Sequence, residues 1–216
     1  MLHFLENHDE QRVASKFFAG DPWKAAPAMV ISATIDKGPV MIYFGQEVGE
    51  PGKGVEGFQG DDGRTTIFDY WGVPEHQKWM NGGKFDGGLL APEQKQLRQF
   101  YSDLLTLAAK NPALTLGGYI DLTAYNIATG NFNDKVHAYL RYHDTERLLI
   151  LTGFNDKDQV AKVQIPEDAA KAIGLDLNEA YIARDLIWRE MEVGFDKTLT
   201  FEVLLKPYSS FIFKIK

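Results

Sequence analysis

Asn7, His8 and Asp9, with Arg12 three residues on, place an amide, an imidazole, a carboxylate and a guanidinium side by side early in a chain of 216 residues. Imidazole and carboxylate are the side chains that move protons and hold developing positive charge, while amide and guanidinium groups orient them. The cluster follows a short apolar run, residues 2–5, and a buried strand delivers functional groups at its C-terminal end in this way. The plainer reading is that an Asn-His-Asp run satisfies backbone groups where a helix begins. A second carboxylate, Glu47, follows another apolar run, residues 40–44, so Asp9 and Glu47 could form a two-carboxylate site acting without further residues. Asp61 and Asp62 could ligate calcium, although a lone acidic pair beside glycine is more often a solvated turn. Arg64 reads as a local ion-pair partner. Phe58, Tyr70, Trp71 and Trp79 are candidates for stacking on sugar-like rings, or else pack their loop against the body of the protein. His3, His76, His137 and His143 lack the spacing of metal ligands, and no metal site is expected.

The elements that must carry these residues can be traced along the chain. Residues 2–5 and 40–44 read as two strands of the fully covered parallel kind. Between them Asp21 is a helix N-cap with Pro22 at the first helical position, followed by a nearly all-apolar run through Ile35 and a stop at Gly38. That helix should be mostly buried. Glycines at 49, 52, 54, 57, 60 and 63 predict a long excursion loop reaching Gly88, and loops of that length are usually functional. Pro92 and Glu93 open a second helix, with Leu97, Phe100, Tyr101, Leu104, Leu105 and Ala108 on one stripe and a stop at Asn111-Pro112. Beyond Leu116 the period becomes two. Runs at 119–122, 136–142, 148–154, 160–165, 183–187, 199–204 and 210–215, separated by turn residues, predict an antiparallel sandwich.

Composition narrows the functional classes. A 44% hydrophobic content supports a real core in one large domain or two small ones. The net charge is −7 and the 23 Lys and Arg are scattered, so no surface is built to neutralise phosphates and nucleic acid is not an expected partner. There is no cysteine, hence neither disulfide nor thiolate chemistry. The apolar stretches at 29–35 and 40–44 are far too short for a membrane span. The N-terminus reads neither as a signal peptide nor as a lipidation site, and the compartment stays undetermined because any export signal of a longer parent would lie upstream.

Residues 4–12, Phe-Leu-Glu-Asn-His-Asp-Glu-Gln-Arg, resemble the F-x-x-N-H-D-x-x-R motif at the seventh barrel strand of the α-amylase family, glycoside hydrolase family 13. Residues 38–47, Gly-Pro-Val-Met-Ile-Tyr-Phe-Gly-Gln-Glu, are similar to that family's eighth strand, at the expected interval and with the expected helix between. The resemblance implies an α/β plus all-β chain. Residues 1–115 would be the last two β/α units of a TIM (β/α)₈ barrel, and residues 116–216 an antiparallel Greek-key β-sandwich. It implies that Asp9 stabilises the positive charge of an oxocarbenium-like transition state, that His8 donates to a sugar hydroxyl, and that Asn7 and Arg12 orient them. Glu47 would be a structural hydrogen-bonding residue. The implied activity is retaining hydrolysis of α-glucosidic bonds in starch-like glucans. The nucleophile and acid/base, which retaining enzymes hold roughly 5 Å apart, belong to the family's fourth and fifth strands and have no counterpart here. Alternatives are transglycosylation or isomerisation within the superfamily, or a non-catalytic glycan-binding module. The implied partners are an α-glucan oligosaccharide or polysaccharide, the missing N-terminal barrel portion, and a second copy of the chain covering exposed strand edges. No cofactor is implied in this chain, and the family's Ca²⁺ sites lie mainly in the portion without counterpart.

Overall fold

The computed structural model describes residues 1–54, 56, 60–68 and 72–216, so Phe58, Tyr70 and Trp71 lie outside the described residues. The chain divides into two compact units: Met1–Met29 with Gly38–Leu105, and Val30–Lys37 with Thr106–Lys216. No helix among the described residues is long and apolar enough to cross a membrane.

In the first unit the apolar runs at 2–5 and 40–44 touch through one parallel bridge, His3 to Val40. His3 N donates to Pro39 O at 2.9 Å, and Met41 N to His3 O at 2.9 Å. The expected strands therefore do not extend into a ladder. Parallel pairing is the weaker kind and depends on neighbours on both sides and cover on both faces, whereas Leu2 and Phe4 here are 49% and 41% exposed. Asp21 caps as predicted, its side chain accepting from Trp23 N at 2.9 Å, but the first turn, Pro22–Ala25, is 3₁₀ and only then becomes helix α1, Ala26–Thr34. Met29 on α1 is fully buried, as is Val30, the residue after it, in the second unit. The glycine-rich excursion contains an unforeseen short helix, α2, Pro74–Met80. Helix α3, Pro92–Lys110, then buries Leu97, Phe100, Tyr101 and Leu104 of the stripe read from the sequence, with Leu105 and Ala108 only half-buried.

The second unit continues with a short helix, α4, Pro112–Thr115, and eight strands: β1 Gly118–Asp121, β2 Val136–His143, β3 Glu146–Gly153, β4 Gln159–Gln164, β5 Ile182–Asp185, β6 Glu192–Gly194, β7 Thr200–Leu205 and β8 Ser210–Ile215. Two further helices, α5 Thr123–Ala128 and α6 Glu167–Ala172, sit in the connections β1–β2 and β4–β5. Six strands form one sheet in the order β1-β2-β3-β8-β5-β6, and β4 pairs with β7 in another. All ladders are antiparallel. Between the sheets Val136, Ala138, Leu140, Leu149, Leu151, Val163, Phe201, Val203 and Phe213 make a continuous core. The outer-facing residues of β2 and β3 are buried too, which simple alternation does not predict. Tyr139 and Arg141 reach the segment Val30–Lys37: the Tyr139 hydroxyl lies 2.7 Å from Thr34 Oγ1, and Arg141 donates to Thr34 O at 2.9 Å and Leu114 O at 2.9 Å. Arg141 thereby collects the bare carbonyls at the ends of α1 and α4, which need a donor.

A candidate active-site segment on a buried arginine clamp

The Asn7 to Arg12 segment is organised from its two ends. At one end Asn7 Oδ1 accepts from the backbone of Asp9 at 2.8 Å and of Glu10 at 2.9 Å, so the amide shapes the turn. At the other end Arg12 is fully buried. Its Nη1 donates to Glu6 Oε2 at 2.9 Å, its Nη2 to Phe44 O at 2.8 Å and to Thr65 Oγ1 at 2.6 Å, and its Nε to Thr65 Oγ1 at 2.9 Å. The guanidinium lies 4.2 Å from the Tyr43 ring centroid and 5.0 Å from that of Phe44. A desolvated cation over aromatic faces gains about 2 kcal/mol. Glu6, also buried, completes the clamp by accepting from Val13 N at 2.7 Å. Burial pushes the Glu6 carboxyl up, while Arg12 and the Val13 amide pull it back.

This clamp ties three stretches together: the motif, the end of residues 40–44, and Thr65 in the glycine-rich loop. Arg12 N donates to Gly63 O at 2.7 Å. The loop comes so close that a Cβ on Gly63, where φ is +80°, would sit 2.2 Å from Ser15 Oγ. Only glycine fits both the turn and the gap.

Between the two anchors the functional groups face water. The Asp9 and His8 side chains are 72% and 42% exposed, and His8 Nε2 is 3.5 Å from Asp9 Oδ2, an ion pair when the imidazole is protonated. Arg12, by contrast, is removed from any ligand that stays in solvent. Its bonds hold the segment in place from within the protein. Glu47 is not brought beside Asp9 by any contact among the described residues. Its Oε2 is buried with no hydrogen-bond partner there, and its charge opposes the burial that pushes the His76 imidazole down. Arg64 forks onto Asp62 at 2.9 and 2.7 Å. Asp62 raises the Arg64 guanidinium above its ordinary range, with smaller contributions from Asp9 and Glu10. Asp61 pairs with Lys16 and accepts from Gly54 N at 3.0 Å, so both loop carboxylates are already engaged by cations of the chain. Phe58 lies outside the described residues. Sequence reasoning passed over Glu6 and Thr65. Glu6 occupies a variable position of the motif, and Thr65 meets Arg12 only across 53 residues.

No family model matches the chain. An oligo-1,6-glucosidase of Bacillus cereus is 21% identical over 259 residues, covering 99% of this chain and 42% of that protein. Among solved structures, AmyP in complex with maltose superposes with a TM-score of 0.65 at 19% identity, over 99% of this chain and 40% of its own. The trehalulose synthase MutB gives 0.57 at 19% identity, over 100% and 43%. The chain thus spans about two-fifths of the length of the relatives it matches. With its motif order and antiparallel β-rich unit, it is similar over its whole length to part of these α-amylase-type enzymes and shares their fold there.

Proposed function

We propose that the parent enzyme hydrolyses α-glucosidic bonds of starch-like glucans by a retaining mechanism, and that this chain supplies one carboxylate of its active site, Asp9. The observation that carries the reading is the contrast within one motif. Glu6 and Arg12 are buried and fixed, whereas Asp9 and His8 between them are held out to solvent on a turn shaped by Asn7. Such a segment is preorganised to meet a positively charged transition state, which is where fixed charge is worth most. His8 then donates to a hydroxyl of the same sugar, and Asn7 and Arg12 orient the pair. In this reading residues 1–115 are the last two β/α units of a (β/α)₈ barrel, with the active groups at the C-terminal ends of its strands. Residues 116–216 are the Greek-key sandwich that follows. The crossings β3 to β4 and β7 to β8 between sheets support that topology. Calcium, where the parent uses it, belongs to the portion without counterpart here.

The test is Asp9→Asn in the intact parent, expected to lower kcat by at least about a hundredfold with an unchanged thermal midpoint. A near-normal kcat would overturn the role. The chain assayed alone is expected to release no product from starch or an activated maltooligosaccharide, because a retaining mechanism needs a nucleophile and a proton donor flanking one bond. Turnover lost on Asp9→Asn in the purified chain would refute that. The likeness to a trehalulose synthase supports a second reading, an isomerase of the same superfamily. Sucrose and maltose as alternative substrates for the parent separate the two. A non-catalytic glycan-binding module would bind maltooligosaccharide with no parent turnover at all.

A further inference from the structure

Trp79, a stacking candidate in the sequence, turns out to stand at a small cavity of about 250 Å³ between the end of α2, the loop after it and one face of α3. That is room for about eight waters at roughly 30 Å³ each. Its walls are of two kinds. Trp79 and Phe85 meet edge to face with centroids 5.6 Å apart. Around them stand Asp86, Lys95, Arg98 and Gln99. Phe85 is 55% exposed and has φ of +54°, the left-handed region that bulky residues rarely adopt. A phenylalanine held there and left in water is costly on both counts, and strained residues of this kind gather where a ligand is bound. Arg98 lies over Trp79 at 5.2 Å, and its Nε is buried with no hydrogen-bond partner among the described residues. A desolvated, unused donor seeks an acceptor. The Asp86 carboxylate is fixed by Asn81 Nδ2 at 2.8 Å and Gly88 N at 2.9 Å.

We propose that this cavity is a carbohydrate subsite that takes one pyranose ring of an oligosaccharide, independent of the Asp9 segment. A pyranose has a weakly polar C–H face and a rim of hydroxyls, each both donor and acceptor. The aromatic pair suits the face, while the carboxylate, guanidinium, ammonium and amide suit the rim. A simple anion would use Arg98 and Lys95 but would be opposed by Asp86 and would leave the aromatic walls unused.

The experiment is a maltose titration of the 216-residue chain followed by ¹⁵N NMR, with inorganic phosphate as a parallel arm. Maltose is expected to shift the Trp79 indole, the Gly87 amide and the Gln99 side-chain amide saturably, and to do so equally in the Asp9→Asn variant. Phe85→Ala should weaken binding at least fivefold with an unchanged thermal midpoint. Gln99→Ala, an exposed change on α3, should weaken it at least twofold, and serves if Phe85→Ala does not fold. Absence of saturable shifts, shifts produced by phosphate instead of maltose, loss of the shifts in Asp9→Asn, or unchanged affinity in the wall variants would each overturn the proposal. None of these outcomes bears on kcat of Asp9→Asn in the parent, so the two readings fail separately.

Discussion

Arg12 shows how much a single residue is asked to do. Its guanidinium offers five donors in a planar fork, and here four bonds to Glu6, Phe44 and Thr65 use four of them. Breaking a buried ion pair from one side leaves an uncompensated charge, so Arg12→Met should destabilise the first unit by about 3–5 kcal/mol, while Arg12→Met with Glu6→Leu recovers much of it. Urea denaturation of the single and double variants checks this, and an undiminished midpoint in the single variant would show that the pair holds nothing. A neighbouring acid gives a pH signature. Burial, and after it the negative charge of Glu50, raises the Glu56 carboxyl to about 8 from an ordinary 4.5. The folded chain therefore holds a proton that the unfolded chain releases. The stability this contributes is full below about pH 4.5 and is lost as pH rises through about 8. Glu56→Gln should flatten that decline and raise the thermal midpoint most above pH 8, as a pair of melting curves on either side of that value would show. The motif could be read from the sequence as a candidate site, and the structure leaves its His8 and Asp9 side chains exposed. That Arg12 would be wholly buried was not legible, because its partners Phe44 and Thr65 lie 32 and 53 residues away.

At the scale of elements, legibility follows how locally each element is determined. Ser210–Ile215 matches its expected run, and β2, β4 and β7 fall within a residue of theirs, because alternating β-branched and aromatic residues bounded by turns need little context. β6, only Glu192–Gly194, carries no such run and exists through its pairing with β5. Residues 2–5 and 40–44 fail in the opposite direction: they have the apolar content of buried parallel strands, but a strand is completed by its neighbours, and each finds a single bridge. The β5–β6 hairpin is held by Asp185, buried and accepting from the backbone of Trp188 at 2.7 Å, Arg189 at 3.0 Å, Ile187 at 3.3 Å and Ile212 at 3.3 Å. Arg189 in that turn has φ of +62°, a conformation those bonds impose. Asp185→Ala orphans four donors at once and should cost the second unit at least about 2 kcal/mol, measurable as a fall in the denaturation midpoint. A neutral result would mean that water replaces the carboxylate.

For the molecule as a whole, apolar surface and discontinuity matter more than any one bond. Leu2, Phe4, Phe17 and Phe18 are 49%, 41%, 46% and 68% exposed in the first unit. Exposed apolar side chains favour association where they lie together. We expect the purified chain to sediment as a dimer or larger species; a monodisperse monomer would refute this. The second unit is built from two separate stretches, Val30–Lys37 and Thr106–Lys216. Thr34 and Arg141, bonded in that unit, are 107 residues apart in the chain. A ribosome adding roughly 5–20 residues per second takes about 5–20 s to cover that interval. During that interval Thr34, at the end of the apolar helix that carries Met29 and Val30, is made while its partners Tyr139 and Arg141 do not yet exist. Slowing synthesis between residues 38 and 105 should therefore lower the yield of folded protein, whereas slowing it before residue 30 should not.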